Sequence, residues 1–375
     1  MLLSDFSILI VNLWARCVEE QLFAPIKELV SLLTFTMQLP NMSVTQRLVY
    51  ELVAVAENTL YMMVNARMQT SDGDISKDPD YQALHTSVDS TEILLLVYLT
   101  ALACAGSPEE EADGVGAGVP IRTGFWQRLS LDLVRGILSP KQPLRDVVVM
   151  LSLLCASVRP EGIGPVDPNG DAERVAKLTL DYVSRLLNHP PLAARSPRQK
   201  HAISNAALQT LLAFTSSAFG INQVATHAVV IDRLVLVLSV AVNELYDQDI
   251  SIELPQVGKA GREMRREGDP LSASEMGSDA KGLCQVISQA TLLLYTLVTD
   301  PRNSSVVDIT SKSLGSHGGS NRYQIALCRL SCAEEDLVLE AGIDTETADR
   351  ATELLNLLLT PDEAKIIGEA FVSGE

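Results

Sequence analysis

The chain has 375 residues, of which 47% are hydrophobic, 20% charged and 5% aromatic, with a formal net charge of -18 at pH 7. That length suggests two or three domains or one long repetitive array, and that composition excludes wholesale disorder, because a large core can be buried. The acidic balance excludes a protein whose main task is coating nucleic acid, which needs a concentrated cationic face, and leucine at 55 positions beside so few aromatics favours stacked helices over an all-β fold.

At the start, Leu2 to Trp14 is apolar enough to resemble a signal or membrane segment. Asp5 interrupts it, no basic residue precedes it, and it is too short to cross a bilayer. A buried helix is expected there, and no membrane partner. The next long stretch repeats the pattern: Val44, Leu48, Leu52, Val55 and Met62 share one helical side, flanked by Val49, Val53, Leu60 and Met63. From Ala228, the series Ala228, Ile231, Val235, Leu238, Val242, Leu245 steps by three and four, while Val230, Leu234, Val237 and Ala241 fill a neighbouring side. A helix apolar over so much of its circumference must lie between others.

Taken together, the periodic stretches predict about thirteen helices, near 2-19, 22-38, 43-68, 89-105, 121-138, 142-158, 170-188, 197-219, 222-247, 278-299, 319-341, 345-359 and 361-372. Start signals accompany them: Ser43 with Gln46 as a capping box, the cap-proline pairs Asp167-Pro168 and Ser196-Pro197, and Thr360-Pro361-Asp362-Glu363; Gly342 is placed as a stop. Short connections favour antiparallel hairpins, and no fixed-period signature occurs. The expected fold is all-α, an irregular HEAT/armadillo-like α-solenoid. It is read as one array over 1-375, interrupted by long loops at 69-88, 106-120 and 248-277.

Catalysis has no visible seat. Glu109-Glu110-Glu111 and Glu334-Glu335-Asp336 read as solvated acidic faces rather than the opposed carboxylates of acid/base chemistry. The five histidines are isolated, with neither H-E-x-x-H nor cysteine at ligand spacing, so no metal is expected. Cys328 and Cys332 would share a helix face but read as core thiols, and six scattered cysteines fit a reducing compartment. Gly114-Val115-Gly116-Ala117-Gly118 lacks the strand and helix start of a phosphate cradle, and no G-x-S-x-G elbow exists. No cofactor and no enzymatic activity are expected.

Two charge features stand out. Lys259, Arg262, Arg265 and Arg266 crowd one loop, among Glu263 and Glu267, and read as solvated. Residues 330-375 hold twelve acidic side chains against Arg350 and Lys365, a net of -10, beside the apolar Leu354, Leu355, Leu358, Ile366, Ile367 and Phe371. This block suits docking on a basic partner surface or acidic capping of an array end.

The runs Arg322-Tyr323-Gln324-Ile325-Ala326-Leu327-Cys328-Arg329-Leu330, Leu337-Val338-Leu339-Glu340-Ala341-Gly342-Ile343 and Leu359-Thr360-Pro361-Asp362-Glu363-Ala364 resemble the C-terminal region of fungal ATR-interacting proteins, over about fifty residues. The resemblance implies a nuclear, non-catalytic scaffold whose helical repeats bind an ATR-type checkpoint kinase, a phosphatidylinositol-3-kinase-like enzyme. It implies indirect association with single-stranded DNA coated by replication protein A. Family members usually begin with an acidic-aromatic recruitment motif and a coiled coil, whereas this chain opens in buried-type helices. The partner-facing candidates are Leu355, Leu358, Ile366, Phe371, Glu334, Glu335 and Asp336. A generic armadillo-like adaptor for transport or chaperone work is the alternative; oligomeric state is not legible.

Overall fold

The structure, a computed structural model, describes residues 2-40, 42, 44-76, 78, 81-106, 120-167, 169-253, 270-302, 319-331 and 342-358. Among them are fifteen helices and no strand. The chain divides into two compact units, Met1–Arg195 with Ala213–Gln223, and Ser196–Leu212 with Val224–Glu375.

The first unit begins with α1 (Leu2–Glu19), α2 (Ile26–Met37) and α3 (Gln46–Gln69). α1 is two-faced, not buried all round: Ile10, Val11, Trp14 and Val18 point inward, while Phe6, Leu9 and Leu13 are exposed on the far side. The apolar run therefore encodes one core stripe and one surface stripe. α3 is the centre of this unit, packing on α1, α5 (Ser90–Gly106), α6 (Ile121–Arg128) and α7 (Leu131–Ile137). Most of its two predicted faces is inside: Leu48, Leu52 and Val55 are buried, as are Val49, Val53, Leu60 and Met63, whereas Met62 is half-buried and Val44 precedes the helix. Burying each such side chain contributes about 1.5–3 kcal/mol before the ordering cost is set against it. α5 carries apolar residues all round because it is covered by α2, α3, α6 and α8 (Leu144–Cys155).

Residues 69-88 are not an open interruption. They hold α4 (Gln82–Ser87) and bury Ile75 and Leu84. Lys141 Nζ donates to the Met68 and Thr70 carbonyls at 2.9 and 2.7 Å, drawing this segment against the α7–α8 turn. Gly73 sits at φ +81°, and a Cβ there would lie 2.2 Å from the Lys141 carbonyl oxygen, so only glycine fits the approach.

The single helix expected over 121-138 is broken into α6 and α7. Leu129 and Ser130 are extended, and the Ser130 hydroxyl caps α7 by accepting from Leu133 N at 3.1 Å. The break is also fixed from outside: Ser130 N donates to Glu57 Oε1 at 3.2 Å, and its hydroxyl shares a 2.9 Å hydrogen bond with Tyr61 Oη.

Two start signals lie later in the chain than expected, by two residues (Ser43 to Thr45) and by four (Asp167 to Asp171). α3 is capped by Thr45, which accepts from Leu48 N at 3.3 Å; Ser43 is outside the described residues. α9 (Ala172–Asn188) is capped by Asp171, which accepts from Arg174 N at 2.9 Å, whereas Asp167 instead turns the loop by accepting from Asn169 N. In both cases the capping side chain nearest the first helical amide wins. Ser196 does form a capping box on α10 (Pro197–Phe214): its hydroxyl accepts from Gln199 N and its amide donates to Gln199 Oε1, both at 3.2 Å.

After α11 (Ala218–Thr226), the second unit is completed by α12 (Ala228–Glu253), α13 (Pro270–Thr299), α14 (Gly319–Ser331) and α15 (Thr345–Leu358). α12 and α13 extend well into the stretch 248-277, leaving 254-269 outside the described residues, as are 107-119 of the stretch 106-120. By length and composition Ala280–Thr299 could cross a membrane, but half of it is buried inside the protein. Leu283, Ile287, Ala290, Leu294 and Leu297 are core residues there, so packing accounts for its apolarity.

Candidate partner-facing surfaces

In the second unit α12, α13, α15 and α14 close a ring in which each packs on the two beside it. Both predicted faces of α12 are turned into this ring and its neighbours: Ile231, Val235, Leu238, Val242 and Leu245, and Val230, Leu234, Val237 and Ala241, are all buried, whereas Ala228 at its end is exposed. The remaining side still carries Val229, Leu236 and Val240, all exposed. Spacings of seven and four put the three in one line about 16 Å long. The same pattern recurs more weakly on α14, where Ile325 is half exposed, and on α15, where Leu357 is 62% exposed.

Of the partner-facing residues read from the sequence, Leu355 is only 7% exposed and packs with Leu354 and Ala351 in the ring. Leu358 is half-buried at the end of α15. Ile366, Phe371, Glu334, Glu335 and Asp336 lie outside the described residues, as do the Thr360 cap and Cys332. Leu357, two positions on from Leu355, is the side chain α15 turns outward; the helical period of 3.6 separates them. Gly342 does adopt the left-handed backbone, φ +89°, although residues 332-341 of the helix it was expected to stop fall outside the described residues.

Polar contacts fix the ring's geometry. The Arg329 guanidinium of α14 donates to Asn243 Oδ1 at 2.7 Å and lies 5.3 Å from the centre of the Tyr246 ring, while Tyr246 Oη donates to the Arg329 carbonyl at 2.7 Å. The Thr347 hydroxyl shares a 3.0 Å hydrogen bond with Ser288 Oγ, joining α15 to α13, and donates to the Asp344 carboxylate, which also caps α15 by accepting from Thr347 N at 2.8 Å. Asn205 Nδ2 on α10 donates to the Gly282 carbonyl at 3.0 Å. Tyr323 is fully buried in α14 with no partner for its hydroxyl among the described residues, and burial pushes its phenol up. Tyr323→Phe is therefore expected to raise stability by about 1 kcal/mol, because it removes a buried unpaired hydroxyl and keeps the ring. Thermal denaturation checks the sign.

The first unit holds a charged cluster that sequence reasoning missed. Arg67 on α3 donates to Asp146 Oδ2 of α8 at 2.8 Å, to Gln142 Oε1 at 3.1 Å and to Ser90 Oγ of α5 at 2.8 Å. Ser90 and Thr91 hydroxyls donate in turn to the two Asp146 oxygens at 2.5 and 2.6 Å. Arg67, Asp146, Ser90 and Gln142 are all buried. The available signal was positional: Arg67 follows Met63 by four on the inward stripe of α3, and Asp146 adjoins the inward Val147 and Met150. The pairing partner, 79 residues away, carries no local mark.

Among the described residues no three His, Cys, Asp or Glu side chains gather as a metal would require. Cys104 is buried and its thiol is pushed up to about 12 by desolvation, so at pH 8 it stays protonated. Cys17, Cys155 and Cys328 are only half-buried. A thiol reagent at that pH is expected to modify those three before Cys104, as read by mass spectrometry of time points.

Comparison with known proteins supplies the family. Residues 55–298 match the family described as Rad26-like, helical repeats, and residues 307–371 match Rad26-like, C-terminal domain. The structure aligns with the crystal structure of Myceliophthora thermophila Rad26 (residues 373-841) at a TM-score of 0.80 and 37% sequence identity, covering 96% of this chain and 87% of that one. No curated protein matches. These findings correct the resemblance to fungal ATR-interacting proteins read from the terminal motifs: the matching families are Rad26-like, and they take in the helical array as well as the terminus. Caps and core spacing in short helices recur in many helical arrays, which is why about fifty such residues do not specify a family. Two family matches and a solved structure at this identity together place the chain in the Rad26-like checkpoint family of helical-repeat proteins.

Proposed function

We propose that the chain is a non-catalytic scaffold of the DNA damage checkpoint, working in the nucleus by holding a phosphatidylinositol-3-kinase-like checkpoint kinase. Membership in the Rad26-like checkpoint family supports the pathway, and the observation that carries the binding role is the outward line Val229, Leu236, Val240 on α12. A helix whose inner faces are already filled gains nothing for its own core from three more exposed aliphatic side chains. Such an aligned apolar line is the kind of surface a second macromolecule covers. Arrays of stacked helices offer extended faces suited to another array, and binding energy concentrates in a few desolvated apolar side chains. Leu357 and the half-buried Leu358 at the end of α15 extend the apolar surface, while Leu355 works from within by seating that helix.

The deciding experiment is affinity purification of the full tagged chain from its own cells, with the partners identified by mass spectrometry and the tag's position followed by microscopy. Recovery of the checkpoint kinase at near-stoichiometric amounts, with nuclear fluorescence, is the expected result. Recovery of transport or chaperone machinery in its place, with no kinase, overturns the proposal.

A further inference from the structure

In the first unit, Arg122 and Arg159 are near enough to repel one another, and among the described residues neither forms an ion pair. Arg122 on α6 donates to the Val158 carbonyl at 2.5 Å. Arg159, next in the chain after that carbonyl, donates to the Ser157 and Gly164 carbonyls, both at 3.1 Å, and lies 5.9 Å from the centre of the buried Trp126 ring. The hydrogen bonds these guanidiniums donate all go to neutral main-chain oxygens. Among the described residues no carboxylate is within ion-pair distance of either; Glu161 attracts Arg159 from an exposed position but does not reach it. Arg122 Nε is buried and has no partner. Burial, reinforced by the adjacent Arg122 charge, pulls the Arg159 guanidinium down to about 10.

The loop that presents Arg159 is braced rather than loose. Ser157 Oγ accepts from Gly164 N at 2.8 Å, Arg159 N donates to the Gly162 carbonyl at 2.9 Å, and Val166 N donates to the Trp126 carbonyl at 2.8 Å. Gly164 holds φ +76°, with Thr179 Oγ1 2.7 Å from where a Cβ would stand. Arg122 and Arg159 are both half-buried residues. Two like charges are thus fixed close together, half desolvated, with unused N–H donors. The carbonyls take one hydrogen bond from Arg122 and two from Arg159, of five donors on each.

We propose that Arg122 and Arg159 form a binding site for a phosphate monoester dianion, most naturally one carried on a phosphorylated serine or threonine of a protein partner. The charge count selects the ligand. A monoester carries about -1.5 to -2 at pH 7 and offers three acceptor oxygens, which neutralises two guanidiniums. A phosphodiester carries a single charge and leaves one arginine uncompensated. The planar fork of arginine suits bidentate contact with phosphate oxygens. This site is independent of the α12 line and of the kinase reading, and lies in the other unit.

The test uses the full chain with labelled indoles. Its two tryptophans, Trp14 and Trp126, give two indole N–H resonances, assigned by Trp14→Phe. The protein is titrated with a phosphoserine peptide of otherwise neutral sequence, its unphosphorylated twin, inorganic phosphate and dimethyl phosphate. The expected result is a saturable shift of the Trp126 resonance alone with the phosphopeptide and with phosphate. Neither the unphosphorylated twin nor dimethyl phosphate should move it. Affinity for the phosphopeptide about tenfold or more above that for inorganic phosphate identifies a peptide-borne group, and equal affinities identify free phosphate as the source of the same dianion. Arg122→Gln should weaken binding about tenfold with the melting curve retained. Should that variant unfold, the discrimination of monoester against diester in the unaltered chain decides. No shift at Trp126, an equal response to dimethyl phosphate, or undiminished binding in folded Arg122→Gln overturns the site.

Discussion

Asp146→Ala is expected to cost about 3–5 kcal/mol of stability, the largest effect of any single polar substitution in the first unit. The carboxylate is buried and receives three hydrogen bonds, from Arg67, Ser90 and Thr91. Removing it leaves the Arg67 guanidinium buried with only the neutral Gln142 and Ser90 oxygens as acceptors. The loss is dominated by that stranded cation rather than by the net worth of the pair. It follows that replacing both members by apolar residues of similar size, Arg67→Met with Asp146→Leu, should recover most of the stability lost by the single variant. Hydrogen exchange of the α3 and α8 amides localises the effect to this cluster, with denaturant melts giving its size. A double variant less stable than Asp146→Ala would sink the account.

The second large effect is on association. Leu236 and Leu238 are two positions apart on α12, the first exposed and the second fully buried. Leu236→Asp places a charge in water and should leave the melting temperature within a degree or two, since surface changes usually fall within about 0.5 kcal/mol. Its affinity for the proposed kinase partner should fall about 30-fold or more, the usual penalty for breaking a desolvated hot spot. Val240→Asp should behave alike. Leu238→Asp, by contrast, should prevent the ring of α12 to α15 from forming, because an unpaired carboxylate cannot be buried there. Affinity unchanged in both Leu236→Asp and Val240→Asp would move the docking surface off α12.

The helical period made most of the architecture readable. Val230, Leu234, Val237 and Ala241 are buried beside Ile231, Val235, Leu238, Val242 and Leu245, as two adjacent apolar faces demand. What the period cannot report is the side left over. Phe6, Leu9 and Leu13 made α1 look wholly interior, and Val229, Leu236 and Val240 merged with the core pattern of α12, because aliphatic residues on a surface line and in a core look alike in one dimension. Short-range polar chemistry was legible to within four residues: Thr45 and Asp171 cap where Ser43 and Asp167 were expected. Long-range polar chemistry was not. The partners of Arg67 on α5 and α8 are 23 to 79 residues away, and the neighbours of Arg159 are set by a loop whose course no local pattern declares. Nor does the sequence alone tell Leu355, a partner-facing candidate that is 7% exposed, from Leu357, which is 62% exposed.

The interruption at Ser130 has a mechanical consequence. A helix broken by glycine or by an unsatisfied turn bends freely, but here the amide and hydroxyl on the break are both engaged, by Glu57 and Tyr61 of the central helix as well as by the following turn. The elbow is therefore clamped: its angle is set by three anchors and cannot relax without dismantling all of them together. Pulling on this part of the protein should transmit load through the elbow as through a welded corner, so that curvature here is a fixed dimension of the scaffold and not a reservoir of give.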